Sequence, residues 1–188
     1  MKLLIIDNFD SFTYNIVQLV EQCNVQDYMI VTNDKLLGLN TAEFDKVIIS
    51  PGPGIAKEAG ELVPFLKLVI RKKSILGVCL GYEAIGEIFG AKLTKMPEPM
   101  HGIQNYGTSL KNDSIFVGLP DKFKIGHYHS WIIEEQQMPE CLEITMKDEN
   151  HLPMAFKHKA YRIRGLMFHP ESIMTEFGKE IIGNWLEF

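Results

Sequence analysis

The stretch Ser74-Ile75-Leu76-Gly77-Val78-Cys79-Leu80-Gly81-Tyr82-Glu83 decides the fold. Ser74 to Val78 is a short apolar run bounded by polar residues, the pattern of a buried strand. Leu80 to Phe89 reads as a short helix. One cysteine stands at the join, with a glycine two residues to each side. So tight a strand-to-helix turn strains the backbone of its central residue, and the flanking glycines relieve the crowding. The arrangement projects the sulfur alone at the sheet edge. It also places the thiol at a helix N-terminus, which lowers a thiol pKa, and leaves the Leu80 amide free to face an oxyanion. The alternative is a structural cysteine buried in an apolar turn. The two glycines directly after a strand favour the nucleophile. Cys23 and Cys141 lack such surroundings and are assigned to core or surface.

Working outward, the first ninety residues alternate strand and helix. Lys2 to Ile6 is a strand; Ser11 to Gln22 is a helix with Phe12, Ile16, Leu19 and Val20 at helical spacing and Asp10 or Ser11 as its cap. Tyr28 to Thr32 and Lys46 to Ser50 are strands, the second stopped by Pro51-Gly52-Pro53-Gly54. Glu61 to Arg71 is helical, with Lys72 and Lys73 at its end, where the helix dipole favours cations. This alternation predicts an α/β fold: a mostly parallel sheet covered on both faces, three layers in all. From Ala91 to Phe168 the pattern changes to short β-like runs, namely Phe123 to His129, Leu142 to Met146, Met154 to Lys157 and Tyr161 to Phe168. A last helix spans about Thr175 to Leu186. The chain reads as one domain, 1–188, with a β-rich second half. Ligands of such sheets bind at the carboxyl ends of the strands. Asp7 to Ser11, Pro51 to Gly54, and Cys79 all fall there.

Composition removes whole classes of function. The 188 residues are 46% hydrophobic and 23% charged, ordinary for a globular chain. Nineteen Lys and Arg against 24 Asp and Glu give a net charge of −5, unsuited to binding nucleic acid through phosphates. The longest stretch without Asp, Glu, Lys or Arg is the twelve residues Pro99 to Leu110, well short of a membrane helix. The apolar start after Lys2 ends at Asp7, too soon for a secretory signal. Three scattered cysteines without a CxxC pair point to a reducing cytoplasm. On that reading the sequon Asn112-Asp113-Ser114 is a coincidence of composition.

A thiol nucleophile needs a base, and the base needs an orienting partner. Phe168-His169-Pro170-Glu171-Ser172 supplies both. If the segment is extended, His169 and Glu171 face the same side, with Pro170 stiffening the piece between them. Glu171 would then accept one imidazole N–H and aim the other nitrogen at Cys79. His127 and His129 alternate on a predicted strand. His101, His151 and His158 form no ligand spacing with them, so one is expected to be structural or to line the pocket, without a metal. The Gly52-Pro53-Gly54 turn would expose backbone N–H groups near Cys79. It lacks the Lys-Ser/Thr of a phosphate loop.

Five segments together carry a resemblance: Asp7-Asn8-Phe9-Asp10-Ser11-Phe12-Thr13-Tyr14-Asn15, Ser50-Pro51-Gly52-Pro53-Gly54, Gly77-Val78-Cys79-Leu80-Gly81, Tyr128-His129-Ser130 and Phe168-His169-Pro170-Glu171-Ser172. In this order and over essentially the whole chain, the sequence resembles the class I (triad) glutamine amidotransferases. Within them it is most similar to the glutaminase subunits of anthranilate or aminodeoxychorismate synthase. The resemblance implies a flavodoxin-like sheet. It implies that Cys79 attacks the side-chain amide of L-glutamine, that His169 is base and acid, and that Glu171 orients it. The Gly52 and Leu80 amides would form the oxyanion hole. Gly52, Pro53, Gly54, Glu83, Ser130 and Trp131 would contact glutamine. Ammonia would pass to a chorismate-binding synthase partner. No metal or cofactor is implied for this chain, nor any nucleic acid or membrane. The alternatives are a stand-alone γ-glutamyl amide hydrolase on the same fold and a weakly active or non-catalytic relative, on account of Glu83.

The chain departs from the family in three places. The elbow usually continues Gly-His-Gln, and here reads Gly81-Tyr82-Glu83. The family glutamine gives an amide donor to the substrate. Glu83, if ionised, would lose that donor and add a charge near the substrate carboxylate and the thiolate. After His101-Gly102 the chain has Ile103-Gln104-Asn105 where a Lys and a hydroxyl residue are usual, in what is expected to be a loop facing the synthase. Met167 takes the place of a common Gln.

Overall fold

The computed structural model describes residues 1–110 and 113–187. Asn112, and with it the sequon, lies outside them. Among the described residues nine strands form one sheet: β1 (Leu3–Asp7), β2 (Tyr28–Thr32), β3 (Lys46–Ile49), β4 (Ser74–Val78), β5 (Thr94–Ser109), β6 (Lys122–Ile132), β7 (Leu142–Asp148), β8 (Pro153–His158) and β9 (Ile163–Leu166). Their order is β2-β1-β3-β4-β9-β8-β7-β5-β6. The five strands from β2 to β9 run parallel, and the remaining pairings are antiparallel. The α/β reading with a β-rich second half therefore holds, and the parallel character is confined to one half of the sheet.

Burial explains the division. Leu3 to Ile6, Val47 to Ile49, and Ile75, Leu76 and Val78 are all fully buried. Strands covered on both faces read as continuous apolar runs, and a parallel sheet requires such cover. The cover comes from α1 (Thr13–Gln22), α2 (Leu62–Val69), α3 (Leu80–Ile88) and α4 (Gly178–Glu187). Helix α1 packs against α4, and α2 against α3. No described helix is long and apolar enough to cross a membrane.

Strand β5 overturns two expectations. It is a single strand of 16 residues, and His101 to Asn105 belongs to it instead of to a loop. Its side chains are mostly exposed, so no apolar period marks it. Its pairing with β6 slips between Lys95 and Met100 and again between His101 and Ile103. Pro97, Pro99 and Gly102, the last at φ +65°, fall in those bulges. The expected helix cap is also corrected. Helix α1 starts after Phe12, which makes no side-chain cap bond. The Asp7 carboxylate holds the turn instead, accepting from the Phe9 amide and the Thr13 hydroxyl at 2.9 Å each, while Asp10 accepts from the Phe12 amide at 2.8 Å.

The strand order reverses at β1, which lies between β2 and β3. The loops leaving β1 and β3 therefore diverge and open a crevice at their carboxyl ends. The next strand along, β4, delivers Cys79 to the same edge.

Candidate active site

Cys79 sits at φ 51°, ψ −100°, a left-handed conformation that costs a non-glycine residue free energy. Close packing holds it there. A Cβ on Gly77 would lie 2.4 Å from the Gly81 backbone, and one on Gly81 would lie 2.8 Å from the Ile49 Cβ. The two glycines thus let β4, the turn and α3 fold onto each other, and β3 closes over the top. The strand–turn–helix geometry expected from sequence is present.

The loop after β3 is fastened beside it. Asn8 donates through Nδ2 to the Ser50 carbonyl at 2.8 Å, its own amide donates to Ser50 Oγ at 3.0 Å, and Asn33 donates to Asn8 Oδ1 at 3.1 Å. A Cβ on Gly52 would meet both the Asn8 Cβ and Leu80 Cδ2 at 2.6 Å. Gly52 therefore lies directly against Leu80. Leu80 opens α3, so its amide has no acceptor within the helix.

His169 Nδ1 and Glu171 Oε1 are 2.6 Å apart, with both side chains almost wholly buried. The two do meet, but through a turn instead of extended backbone. The Ser172 amide donates to the His169 carbonyl at 3.2 Å, and Thr175 Oγ1 donates to the same carbonyl at 2.6 Å. The His169 amide donates to the Gly126 carbonyl on β6 at 3.1 Å. Phe12 and Tyr128 pack edgewise on the ring, with centroids 5.9 and 4.9 Å away. His169 Nε2 makes no hydrogen bond of strict geometry. His169 and Cys79 line the same cleft.

Burial alone would lower the His169 pKa; the neighbouring Cys79 and Glu171, the latter hydrogen-bonded to the ring, raise it instead. Burial pushes the Cys79 thiol up, against the lowering expected from the helix N-terminus, and the nearby His169 opposes that push. The two groups are coupled, so their protonation belongs to the pair and not to either side chain alone.

The cleft holds about 460 Å³. Cys79, His169, Gly52, Pro53, Gly54, Glu83, Ser130 and Trp131 are all among its lining. Leu80 and Glu171 stand behind this lining. Sequence reasoning missed Lys95, His101 and Tyr128 as cleft residues. Tyr128 was legible in the Tyr128-His129-Ser130 motif, whereas Lys95 and His101 lie on β5, which carries no strand signal. His127 and His129 both point inward, and His129 lines the cleft. Among the described residues no group of three or more His, Cys, Asp or Glu could hold a metal ion.

Glu83 is 3% exposed, and burial, with Glu87 adding repulsion, raises its pKa to about 8. The acid is therefore neutral at pH 7, so the charge it would bring if ionised is absent there. Tyr82 turns away from the cleft. It is fully buried, stacks at 4.5 Å on Phe156 and donates to the Pro153 carbonyl at 3.2 Å. Met167 is likewise core.

A three-layer sheet with a cysteine elbow and a buried His–Glu pair at its carboxyl edge defines a thiol-dependent amidotransferase or hydrolase. The glutamine amidotransferase class-I family profile matches residues 4–187, and the chain belongs to that family. A Haemophilus influenzae protein assigned as anthranilate synthase component II is 43% identical over 187 residues, spanning 99% of this chain and 96% of that one. Anthranilate synthase component 2 of Mycobacterium tuberculosis is 38% identical, over 99% of this chain and 82% of its own. A crystal structure of a Thermotoga maritima glutamine amidotransferase shares the fold, with a TM-score of 0.75 at 16% identity, covering 100% of this chain and 96% of the other.

Proposed function

We propose that the chain is the glutaminase component of anthranilate synthase. It hydrolyses L-glutamine to glutamate and delivers the ammonia to a chorismate-binding synthase subunit. The observation that carries the reading is the strained Cys79 turn sharing one cleft with the His169–Glu171 pair. The near-full-length relatives support the particular synthase. We read residues 1–188 as one unit without a cofactor of its own, working in the reducing cytoplasm, consistent with three free cysteines.

His169 takes the Cys79 proton, and the thiolate attacks the amide carbon of glutamine. The Gly52 and Leu80 amides receive the oxyanion. His169 returns the proton to the departing nitrogen, and ammonia leaves a γ-glutamyl thioester. Water, deprotonated by His169, attacks the thioester; glutamate departs and the thiol is restored. Glu171 keeps the ring oriented and stabilises its positive charge. Gly52, Pro53, Gly54, Ser130 and Trp131 frame the substrate backbone. Lys95 on the cleft wall faces its carboxylate. Glu83, as a neutral acid, donates one hydrogen bond to glutamine, in place of the amide donor expected there. Glutamate release with and without the synthase subunit tests the reading. Low release alone, rising when the synthase binds, is the expected result; full release by the lone chain indicates an independent hydrolase.

A further inference from the structure

Behind the cleft wall runs a line of four polar contacts that the proposed chemistry does not use. Asn105 Nδ2 lies 3.2 Å from Asp148 Oδ2, and Asn105 Oδ1 lies 2.6 Å from His127 Nε2. His127 Nδ1 lies 3.1 Å from His129 Nε2, and His129 Nδ1 lies 3.1 Å from the Trp131 carbonyl oxygen. His127, His129 and Asp148 are all buried, at 0, 2 and 4% exposure. The line joins the turn after β7 to the cleft, because His129 and Trp131 both line it.

A count of hydrogens shows a shortage. A carboxylate and a carbonyl oxygen only accept, so both ends of the line are acceptors. Between them stand an amide and two imidazoles. Each neutral link gives one hydrogen forward and takes one behind, so three links supply three hydrogens for four contacts. With Asp148 as carboxylate and both rings neutral, one contact must bring two lone pairs face to face. One further proton completes the line in either of two ways. It sits on a ring, or, with the Asn105 amide turned over, on the Asp148 carboxyl. In both arrangements His129 Nδ1 carries a hydrogen and donates it to the Trp131 carbonyl.

We propose that Asp148, Asn105, His127 and His129 form a proton-holding chain that retains one proton beyond a carboxylate and two neutral imidazoles, and that this proton fixes the Ser130–Trp131 backbone against the cleft. His127 and His129 are positioning residues that act through the Trp131 carbonyl. Burial disfavours a charged ring, lowering His127 to about 3, with His129 and then His169 adding repulsion; it lowers His129 to about 4, where the Trp131 carbonyl pulls upward and His169 and His101 repel. On the other side Asp148 accepts from the Asn150 and Leu152 amides, and its neighbour Glu149 is paired with Lys122. Burial thus works against a charged ring; what retains the proton is the closure of all four contacts, which without it would bring two lone pairs face to face. The inference rests on the cleft being the glutamine site only for its kinetic arm.

The spectroscopic arm counts protons on the full chain. Nitrogen-15 shifts of the two imidazoles and the carbon-13 shift of the Asp148 carboxyl report every site. At neutral pH the expected count is three protons over the carboxyl and the four ring nitrogens, with His129 Nδ1 protonated. Two protons, or a bare His129 Nδ1, overturns the proposal. In Asp148→Asn the new amide supplies the missing hydrogen, so two neutral rings suffice and both carry their proton on Nδ1. A His127 ring protonated on Nε2 in that variant also overturns it. In the kinetic arm, His127→Phe with the synthase present raises the Michaelis constant for glutamine about tenfold, with a smaller change in turnover. An unchanged Michaelis constant removes the link to the cleft and leaves the proton count standing on its own.

Discussion

Glu83 stands one helical turn beyond Cys79 on α3, its amide bonded to the Cys79 carbonyl at 3.0 Å, and both side chains line the same cleft. Its pKa of about 8 makes it a hydrogen-bond donor at neutral pH and an acceptor above that. The wild-type Michaelis constant for glutamine is therefore expected to rise as pH passes about 8, by roughly tenfold or more for loss of one buried hydrogen bond. Glu83→Gln keeps a donor at every pH. Its Michaelis constant should match the wild type near pH 7 and stay flat above 8. A tenfold difference already present at pH 7 contradicts this assignment.

The same group makes stability depend on pH. Its folded pKa lies above the ordinary 4.5, so the folded state binds the proton more tightly. The stabilisation this gives is complete below about 4.5 and is lost as pH rises through 8. Glu83→Gln removes the loss and should stabilise the fold by about 3 kcal/mol at pH 7, with no gain near pH 4. Denaturant melts at the two pH values measure it.

Removing the Glu171 charge should lower turnover by roughly 10²–10⁴ with little change in the Michaelis constant. In Glu171→Gln the His169 ring loses the carboxylate that orients it and holds its pKa up. Steady-state kinetics with the synthase present check this; a turnover within about twofold of wild type would exclude Glu171 from the chemistry.

Gly52→Ala tests the oxyanion assignment by displacement. The new Cβ would need space held by Asn8 and Leu80, each 2.6 Å away. The loop must shift, and with it the amide aimed at the oxyanion. A loss of about 10² or more in turnover is expected. Ammonia-dependent synthesis in the complex should be retained, because that chemistry lies in the partner.

Glutamine-like alkylators should label Cys79 and spare Cys23 and Cys141, although Cys79 is the most buried of the three. Labelling that follows exposure instead of the cleft would remove the argument for an activated thiol.

The strands that carry the cleft were legible because both of their faces are buried: Leu3 to Ile6 and Val47 to Ile49 leave no room for polar residues. The elbow was legible because Gly77 and Gly81 are forced by contact distances that no other residue fits. The β5 strand was not, since a hairpin arm exposed along most of its length needs no apolar period. Lys95 and His101 were hidden with it. The charge state of Glu83 was also out of reach, because it follows from burial that only the folded chain reveals.

The most direct test of the central claim follows the nitrogen itself. Glutamine labelled with nitrogen-15 in its side-chain amide is supplied, with chorismate, to the chain and a chorismate-binding synthase subunit, in a buffer containing unlabelled ammonium. The account predicts anthranilate carrying the label, and no product from glutamine when Cys79→Ser replaces the wild type, while ammonium still supports synthesis. Unlabelled product, or label transfer that survives Cys79→Ser, would contradict it.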